Sequence, residues 1–146
     1  MLFSHDTKVD SLRRSPLFEN LSKDELEYLA KATEDLEVPE GKVLCREGAP
    51  AMEFFVIIDG EVEVTRGGRR LSTLRDGEFF GEIALFEDMP RTATVTATTP
   101  LRFFVLTRQS FWGMVDHMPQ VERKILRALA KRLIADDPTV GAETAS

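Results

Sequence analysis

Seven of the nine glycines in this chain of 146 residues fall between Gly41 and Gly81, and that punctuation most narrows what the middle of the chain can become. Their intervals are close to the roughly 8 to 12 residues over which short strands turn back on themselves. Between them lie strand-like segments at residues 42–45, 53–59, 61–66 and 69–74, with Gly67-Gly68 as the hairpin turn joining the last two. Val62 and Val64 alternate with Glu61, Glu63 and Thr65, a period-two pattern that buries one face and wets the other. Further along, Ala93, Val95 and Ala97 alternate with Thr92, Thr94, Thr96 and Thr98, and residues 101–107 form one more strand-like run.

Helices flank this sheet-forming region. Ser22-Lys23-Asp24-Glu25 is a capping box, in which a hydroxyl and a carboxylate satisfy each other's free backbone N–H groups. Leu26, Leu29 and Ala30 follow at helical spacing, so a helix is predicted over 21–33, with a shorter helical piece over 9–17 ending at Pro16. Residues 108–117 turn helical again. Pro119 then opens a last helix, at a position where its missing N–H costs nothing. That helix is predicted over 119–135, with Val121, Ile125, Leu129 and Leu133 in a stripe four residues apart. Its charged side is mostly basic, with Arg123, Lys124, Arg127, Lys131 and Arg132 against Glu122.

Composition removes several classes of function. A net charge of -6 argues against a general nucleic-acid or acidic-membrane surface. No run approaches the roughly 18 apolar residues of a membrane span, and the N-terminal residues lack a signal-peptide core, so a cytoplasmic chain without membrane contact is expected. Cys45, the single cysteine, excludes an internal disulfide and reads as a small buried strand residue. His5 and His117, the only histidines, are too far apart in sequence and too few for the ligand cluster of a jelly-roll metalloenzyme. No serine or cysteine sits in a recognisable nucleophile elbow, so no enzyme activity is expected.

The chemistry is concentrated between Phe79 and Val95, in FFGEIALFEDMPRTATV. Arg91 offers a planar fork of charged donors suited to a phosphate. Gly81 has no Cβ, so the backbone there can approach a ligand closely, and the helical turn that begins at Gly81 presents open N–H groups to an anion. Glu82 would repel a phosphate, unless it accepts a hydrogen bond from a neutral hydroxyl and so tells a ribose from a deoxyribose. The three residues suit a small anionic ribonucleotide. A 3',5'-cyclic nucleotide, with one phosphate charge and one free ribose hydroxyl, is compatible with them but not demanded by them.

The joined pattern of Gly81-Glu82-Ile83-Ala84-Leu85, a short loop, and Pro90-Arg91-Thr92-Ala93-Thr94 resembles the phosphate-binding cassette of the cyclic nucleotide-binding domain family, with every signature position at the expected spacing. The resemblance implies that Glu82 takes the ribose 2'-hydroxyl, that Arg91 takes the cyclic phosphate, and that amides near Gly81, Ile83, Ala84 and Thr92 complete the cradle. It also implies that the final helix acts as a lid over the base, that Arg132 reaches the base as an arginine does in some channel-type members, and that Val64 lies beside it. Taken singly, each has a plainer reading. Glu82 would be a surface or capping carboxylate, Arg91 an ion-pair partner of Glu87 or Asp88, Arg132 a solvated arginine and Val64 ordinary core. Phe79, Phe80 and Phe86 read as core aromatics that fasten the cassette to the barrel, and Trp112 as an anchor of the penultimate helix.

The expected fold is mainly β with flanking helices: an antiparallel β-roll or jelly roll with an N-terminal helix, two C-terminal helices and the cassette's short helix interrupting the barrel. Residues 1–9 are read as an extension, 10–135 as the domain and 136–146 as a disordered tail. The expected ligand is cyclic AMP or cyclic GMP, with no further cofactor, and the expected partner is an effector protein of unstated identity. Thr92 is compatible with either base. Eleven residues follow Ala135, too few for a helix-turn-helix, so no DNA contact is expected. An alternative of another class is a degenerate module serving as a protein-interaction or dimerisation unit through its basic helix. Nothing in the residues fixes an oligomeric state.

Overall fold

The computed structural model describes residues 7–136. In chain order the elements are α1 (Lys8–Arg14), α2 (Lys23–Ala32), β1 (Glu34–Val38), β2 (Val43–Cys45), β3 (Glu53–Asp59), β4 (Glu61–Arg66), β5 (Arg69–Arg75), β6 (Phe79–Phe80), α3 (Glu82–Phe86), β7 (Thr94–Ala97), β8 (Leu101–Thr107), α4 (Arg108–His117) and α5 (Pro119–Asp136). The strands form two four-stranded antiparallel sheets, ordered β1-β8-β3-β6 and β2-β7-β4-β5. This is the antiparallel roll expected from the sequence, with α3 set between β6 and β7.

Two apolar cores account for the long hydrophobic runs. Phe55, Ile57, Leu101, Phe103 and Val105 point between the sheets, where they meet Cys45, Val62, Leu74, Phe80, Val95 and Ala97. Their neighbours Phe54, Val56, Phe104 and Leu106 point the other way, into a second core with Leu12, Leu26, Leu29, Phe111, Met114, Val121 and Ile125 from the helices. Strands β3 and β8 are therefore buried on both faces, which is why they read as continuous apolar segments while β4 alternates.

The helical layer is fixed by local chemistry as well as burial. The capping box of α2 is formed, with the Ser22 hydroxyl accepting from Glu25 N at 3.2 Å and the Glu25 carboxylate accepting from Ser22 N at 2.9 Å. Helix α1 opens at Lys8, inside the stretch read as an extension, because Thr7 caps it and Lys8 Nζ reaches the carbonyls of Ala30 and Thr33 at 2.7 and 2.5 Å. At the other end α5 continues through Asp136, and the remainder of the residues read as extension and tail, 1–6 and 137–146, lies outside the described residues, as does His5. The stripe on α5 divides in two: Val121 and Ile125 are fully buried, whereas Leu133 is 54% exposed. The first half of α5 thus belongs to the core, and its second half runs out over the open end of the roll.

Phe86, Phe111 and Trp112 meet edge to face, with ring centroids 5.2 to 5.7 Å apart, and tie α3 to α4. Phe79 and Phe80 are both buried, one facing each core. The cassette is thereby gripped from its two flanks by aromatic packing.

Candidate ligand-binding site

Gly81 is the joint on which the site is built. Its φ of 98° lies in the left-handed region, and a Cβ there would stand 2.9 Å from Arg91 Nη1 and 3.0 Å from the Glu53 carbonyl oxygen. Only glycine meets both demands. It allows β6 to turn at once into α3, whose first turn receives no side-chain cap.

Arg91 is buried, at 8% exposed, and both of its terminal nitrogens are spent on backbone. Nη1 donates to the Gly81 carbonyl at 2.9 Å, Nη2 donates to the Glu53 carbonyl at 2.5 Å, and the guanidinium carbon lies 5.8 Å from the centre of the Phe55 ring. Its own backbone is held too: the N–H donates to Ala49 O at 2.8 Å and the carbonyl accepts from Gly48 N at 2.9 Å. Among the described residues no carboxylate pairs with it. Asp88, a candidate from the sequence, is engaged by Arg108 instead. Its hydrogen bonds thus go to carbonyl dipoles, its charge lies over the Phe55 ring, and Glu82 acts on it through space without a hydrogen bond.

Glu82 is the opposite case. Its side chain is 2% exposed, and its Oε1 accepts from Arg132 Nη1 at 2.9 Å, a contact made across fifty residues from α5. Arg132 Nη2 donates to the Phe79 carbonyl at 2.8 Å, and its guanidinium sits 4.9 Å from the centre of the Phe79 ring. Among the described residues Glu82 Oε2 has no hydrogen-bond partner. Burial pushes the Glu82 carboxyl above its ordinary pKa, and the Arg132 guanidinium is the strongest influence opposing that rise.

A cavity of about 500 Å³ opens beside these groups, within the usual size range of small-molecule sites. Val64, Gly81, Glu82, Ile83, Ala84, Arg91, Thr92 and Arg132 all line it, so every residue singled out in the sequence as a binding candidate meets at one place. Thr92 is further fixed by Arg66, whose Nε donates to its carbonyl at 2.8 Å. Sequence reasoning missed much of the rest of the wall, including Cys45, Leu71, Ser72 and Leu74 from the strands, and Leu129 and Leu133 from α5. The pairing of Val64 with Ser72 across the β4–β5 hairpin was the available signal for β5, since a hairpin partner of a wall strand shares the wall. Burial pushes the Cys45 thiol up to about 11, so it is a neutral part of that wall.

A family model for the cyclic nucleotide-binding domain matches residues 35–118, more than half of the chain. The chain belongs to that family. Among relatives, a cAMP-dependent protein kinase regulatory subunit from Yarrowia lipolytica is 35% identical over 115 residues, covering 75% of this chain and 31% of that protein. A CRP-like cAMP-activated global transcriptional regulator from Mycobacterium tuberculosis is 28% identical over 127 residues, covering 84% of this chain and 57% of that protein. Among solved structures, "cAMP bound PfPKA-R (141-441)" superposes with a TM-score of 0.76 at 25% identity, covering 85% of this chain and 43% of that one. This cyclic nucleotide-binding domain thus spans less than two thirds of each of these proteins. Among the described residues there is no group of three or more His, Cys, Asp and Glu side chains placed to hold a metal. Nor, among the described residues, is any helix long and apolar enough to cross a membrane.

Proposed function

We propose that the chain is a cytoplasmic regulatory module that takes a 3',5'-cyclic ribonucleotide, cyclic AMP ahead of cyclic GMP, in the cavity between its β-roll and α5. The observation that carries this reading is Arg91, a buried guanidinium with no carboxylate partner among the described residues, on the wall of a cavity of about 500 Å³. A buried charge with no hydrogen-bonded carboxylate is costly, and an anion entering the cavity reduces that cost. Arg91 is the natural partner of the cyclic phosphate, assisted by amides near Gly81, Ile83, Ala84 and Thr92, where the first turn of α3 has no side-chain cap. Glu82 then meets the one free hydroxyl of the ribose, and Val64 offers apolar contact to the base.

The names of the two relatives and of the solved neighbour all carry cAMP, which supports cyclic AMP as the first ligand to test. Thr92 on the cavity wall keeps cyclic GMP in the comparison. A ligand biases a helix only through contacts that differ between two positions of that helix. Leu129, Arg132 and Leu133 supply such contacts, so α5 is the element that reports occupancy to an effector protein. Leu126, Leu133 and Ile134, at 53%, 54% and 46% exposed, give that effector an apolar row to read. The same row favours the second reading, a protein-interaction or dimerisation unit without nucleotide control. It ranks below the first because both Arg91 and Glu82 are retained and face one cavity.

Calorimetric titration with cyclic AMP and cyclic GMP tests the reading. Saturable binding of one nucleotide per chain, tighter for cyclic AMP, is expected. Absence of binding by either ligand at high micromolar concentration would leave the interaction unit as the better account.

A further inference from the structure

Two arginines grip the chain between β2 and β3. Four carbonyls of residues 49–53 are engaged, the outer two by Arg91 and the inner two by Arg108. Ala49 O accepts from Arg91 N at 2.8 Å and Glu53 O from Arg91 Nη2 at 2.5 Å, while Ala51 O accepts from Arg108 Nη1 at 3.0 Å and Met52 O from Arg108 N at 2.9 Å. Arg108 is the first residue of α4, and its remaining terminal nitrogen, Nη2, donates to Asp88 in the cassette loop. Asp88 has a φ of 50°, the one positive value at a non-glycine among the described residues, a conformation that Asp and Asn enter more readily than other side chains. The ion pair is exposed, at 35% for the Arg108 side chain and 86% for that of Asp88, so it contributes little stability by itself. Its geometry matters more, because Arg108 bridges the cassette loop and the segment that carries an acceptor of Arg91.

We propose that Arg108 is a positioning residue of the ligand site: it fixes residues 49–53 from the α4 side, so that the Glu53 carbonyl holds the Arg91 fork in place on the cavity wall, and Asp88 sets its reach. The proposal rests on the cyclic-ribonucleotide reading above. Ala51 and Met52 directly precede Glu53, and planar peptide bonds leave few soft dihedrals between their carbonyls and that of Glu53. Holding the first two therefore aims the third. Arg91 has two terminal nitrogens on backbone, one at the Gly81 carbonyl and one at the Glu53 carbonyl. With only the Gly81 contact fixed, the guanidinium could pivot about it and lose the alignment that a two-pronged contact to a phosphate requires. Asp88 answers the charge of Arg108 at the far end, so the brace adds no second unmatched cation beside Arg91. Arg108 touches no ligand in this account, and acts through Glu53 on a residue that does.

The test measures affinity for cyclic AMP and for its two phosphorothioate diastereomers, in each of which sulfur, a weaker acceptor, replaces one exocyclic phosphate oxygen. The full chain is compared with Arg108→Gln, Arg108→Lys and Asp88→Asn. A fork fixed in place meets the two replaced positions unequally, so wild type should separate the diastereomers by about tenfold or more, the worth of one hydrogen bond to a charged group. Arg108→Gln should weaken cyclic AMP by about tenfold and bring the diastereomers to within about threefold of each other. Arg108→Lys keeps the charge without the planar fork and should fall between the two. Asp88→Asn retains a side chain suited to the positive φ and should weaken cyclic AMP by no more than about threefold. Should Arg108→Gln fail to fold, Arg108→Lys carries the same comparison with a smaller collapse. Equal weakening of all three ligands with the diastereomer ratio kept would make Arg108 a general prop of the fold and overturn the proposal, as would unchanged affinity. A wild type that binds the diastereomers alike overturns it too, because no fork is then fixed, whereas a wild type that binds none of the three refutes the reading of the site itself.

Discussion

Arg91 and Arg102 are both buried arginines, at 8% and 0% exposed, and they are buried in opposite ways. Arg102 lies on the helix-facing side of β8, where Asp35 of β1 accepts from its Nη2 and Nε at 2.7 and 3.1 Å and the Ser11 hydroxyl stands 3.2 Å from Nη2. Its charge is answered from within, by residues of α1 and β1. Arg91, at the other side of the roll, has two carbonyls and a ring but no carboxylate among the described residues, and a cavity in front of it. A matched cation holds elements together. An unmatched one at a cavity leaves an electrostatic demand that a ligand can meet, and this contrast locates the function more sharply than burial alone.

The largest expected effects come from removing each arginine in turn. Arg91→Ala should cost about 2 to 5 kcal/mol of cyclic nucleotide binding, because a desolvated phosphate loses its counter-charge. Its folding stability should stay within about 1 kcal/mol of wild type, since the lost hydrogen bonds to Gly81 and Glu53 are offset by removal of a buried charge that no carboxylate hydrogen-bonds. Arg102→Met should do the reverse. It should destabilise the fold by about 3 kcal/mol by stranding Asp35, while leaving the affinity of the folded fraction within roughly twofold. Denaturant unfolding and calorimetry on both variants check the pair. Equal destabilisation by the two substitutions would dissolve the distinction between them.

A smaller effect is expected where the cassette meets the barrel. Gly81→Ala places a Cβ 2.9 Å from Arg91 Nη1 at a φ of 98°, so both strain and a displaced guanidinium follow. The backbone strain should cost about 1 to 2 kcal/mol of stability, and binding should weaken as Arg91 shifts. Thermal unfolding with and without cyclic AMP separates the two contributions. A variant that loses stability but keeps full affinity would mean that Arg91 is not the phosphate contact.

Much of the contrast was legible in the sequence, and the part that was not has a physical cause. The alternation of β4, the apolar runs of β3 and β8, the capping box of α2 and the cassette spacing are local signals, and each is realised. Strand β1 was missed because it is an edge strand of mostly exposed residues, Glu34 to Val38, with three acids and only Leu36 and Val38 to suggest an alternation. Arg102 gave no sign of burial, since its partners Asp35 and Ser11 lie 67 and 91 residues away and only the fold brings them together. The same holds for Arg132 on Glu82. Spacing along a chain reveals a site built within one segment, as between Gly81 and Thr92, and hides one completed by a distant helix.

Glu82 stands between the two arginine cases, because its carboxylate is matched at one oxygen and unmatched at the other, and the pH dependence of stability tells which character prevails. In the folded chain its pKa is raised by burial, with Arg132 and Arg91 as the charged groups facing it, so the folded state holds the proton more tightly than the unfolded chain, where the carboxyl titrates near 4.5. The group's favourable contribution is therefore complete below pH 4.5 and is lost as pH rises through the higher folded value. Gln has no proton to lose. Glu82→Gln should match wild type most closely in acid and gain on it as pH rises toward neutrality, an effect kept smaller than the others by the ion pair with Arg132. Urea unfolding of both proteins across that range measures the gap. A wild type that instead gains on the variant as pH rises would make Glu82–Arg132 a stabilising pair of the Arg102 kind, and would move α5 from a reporter of the ligand to a fixed wall of the domain.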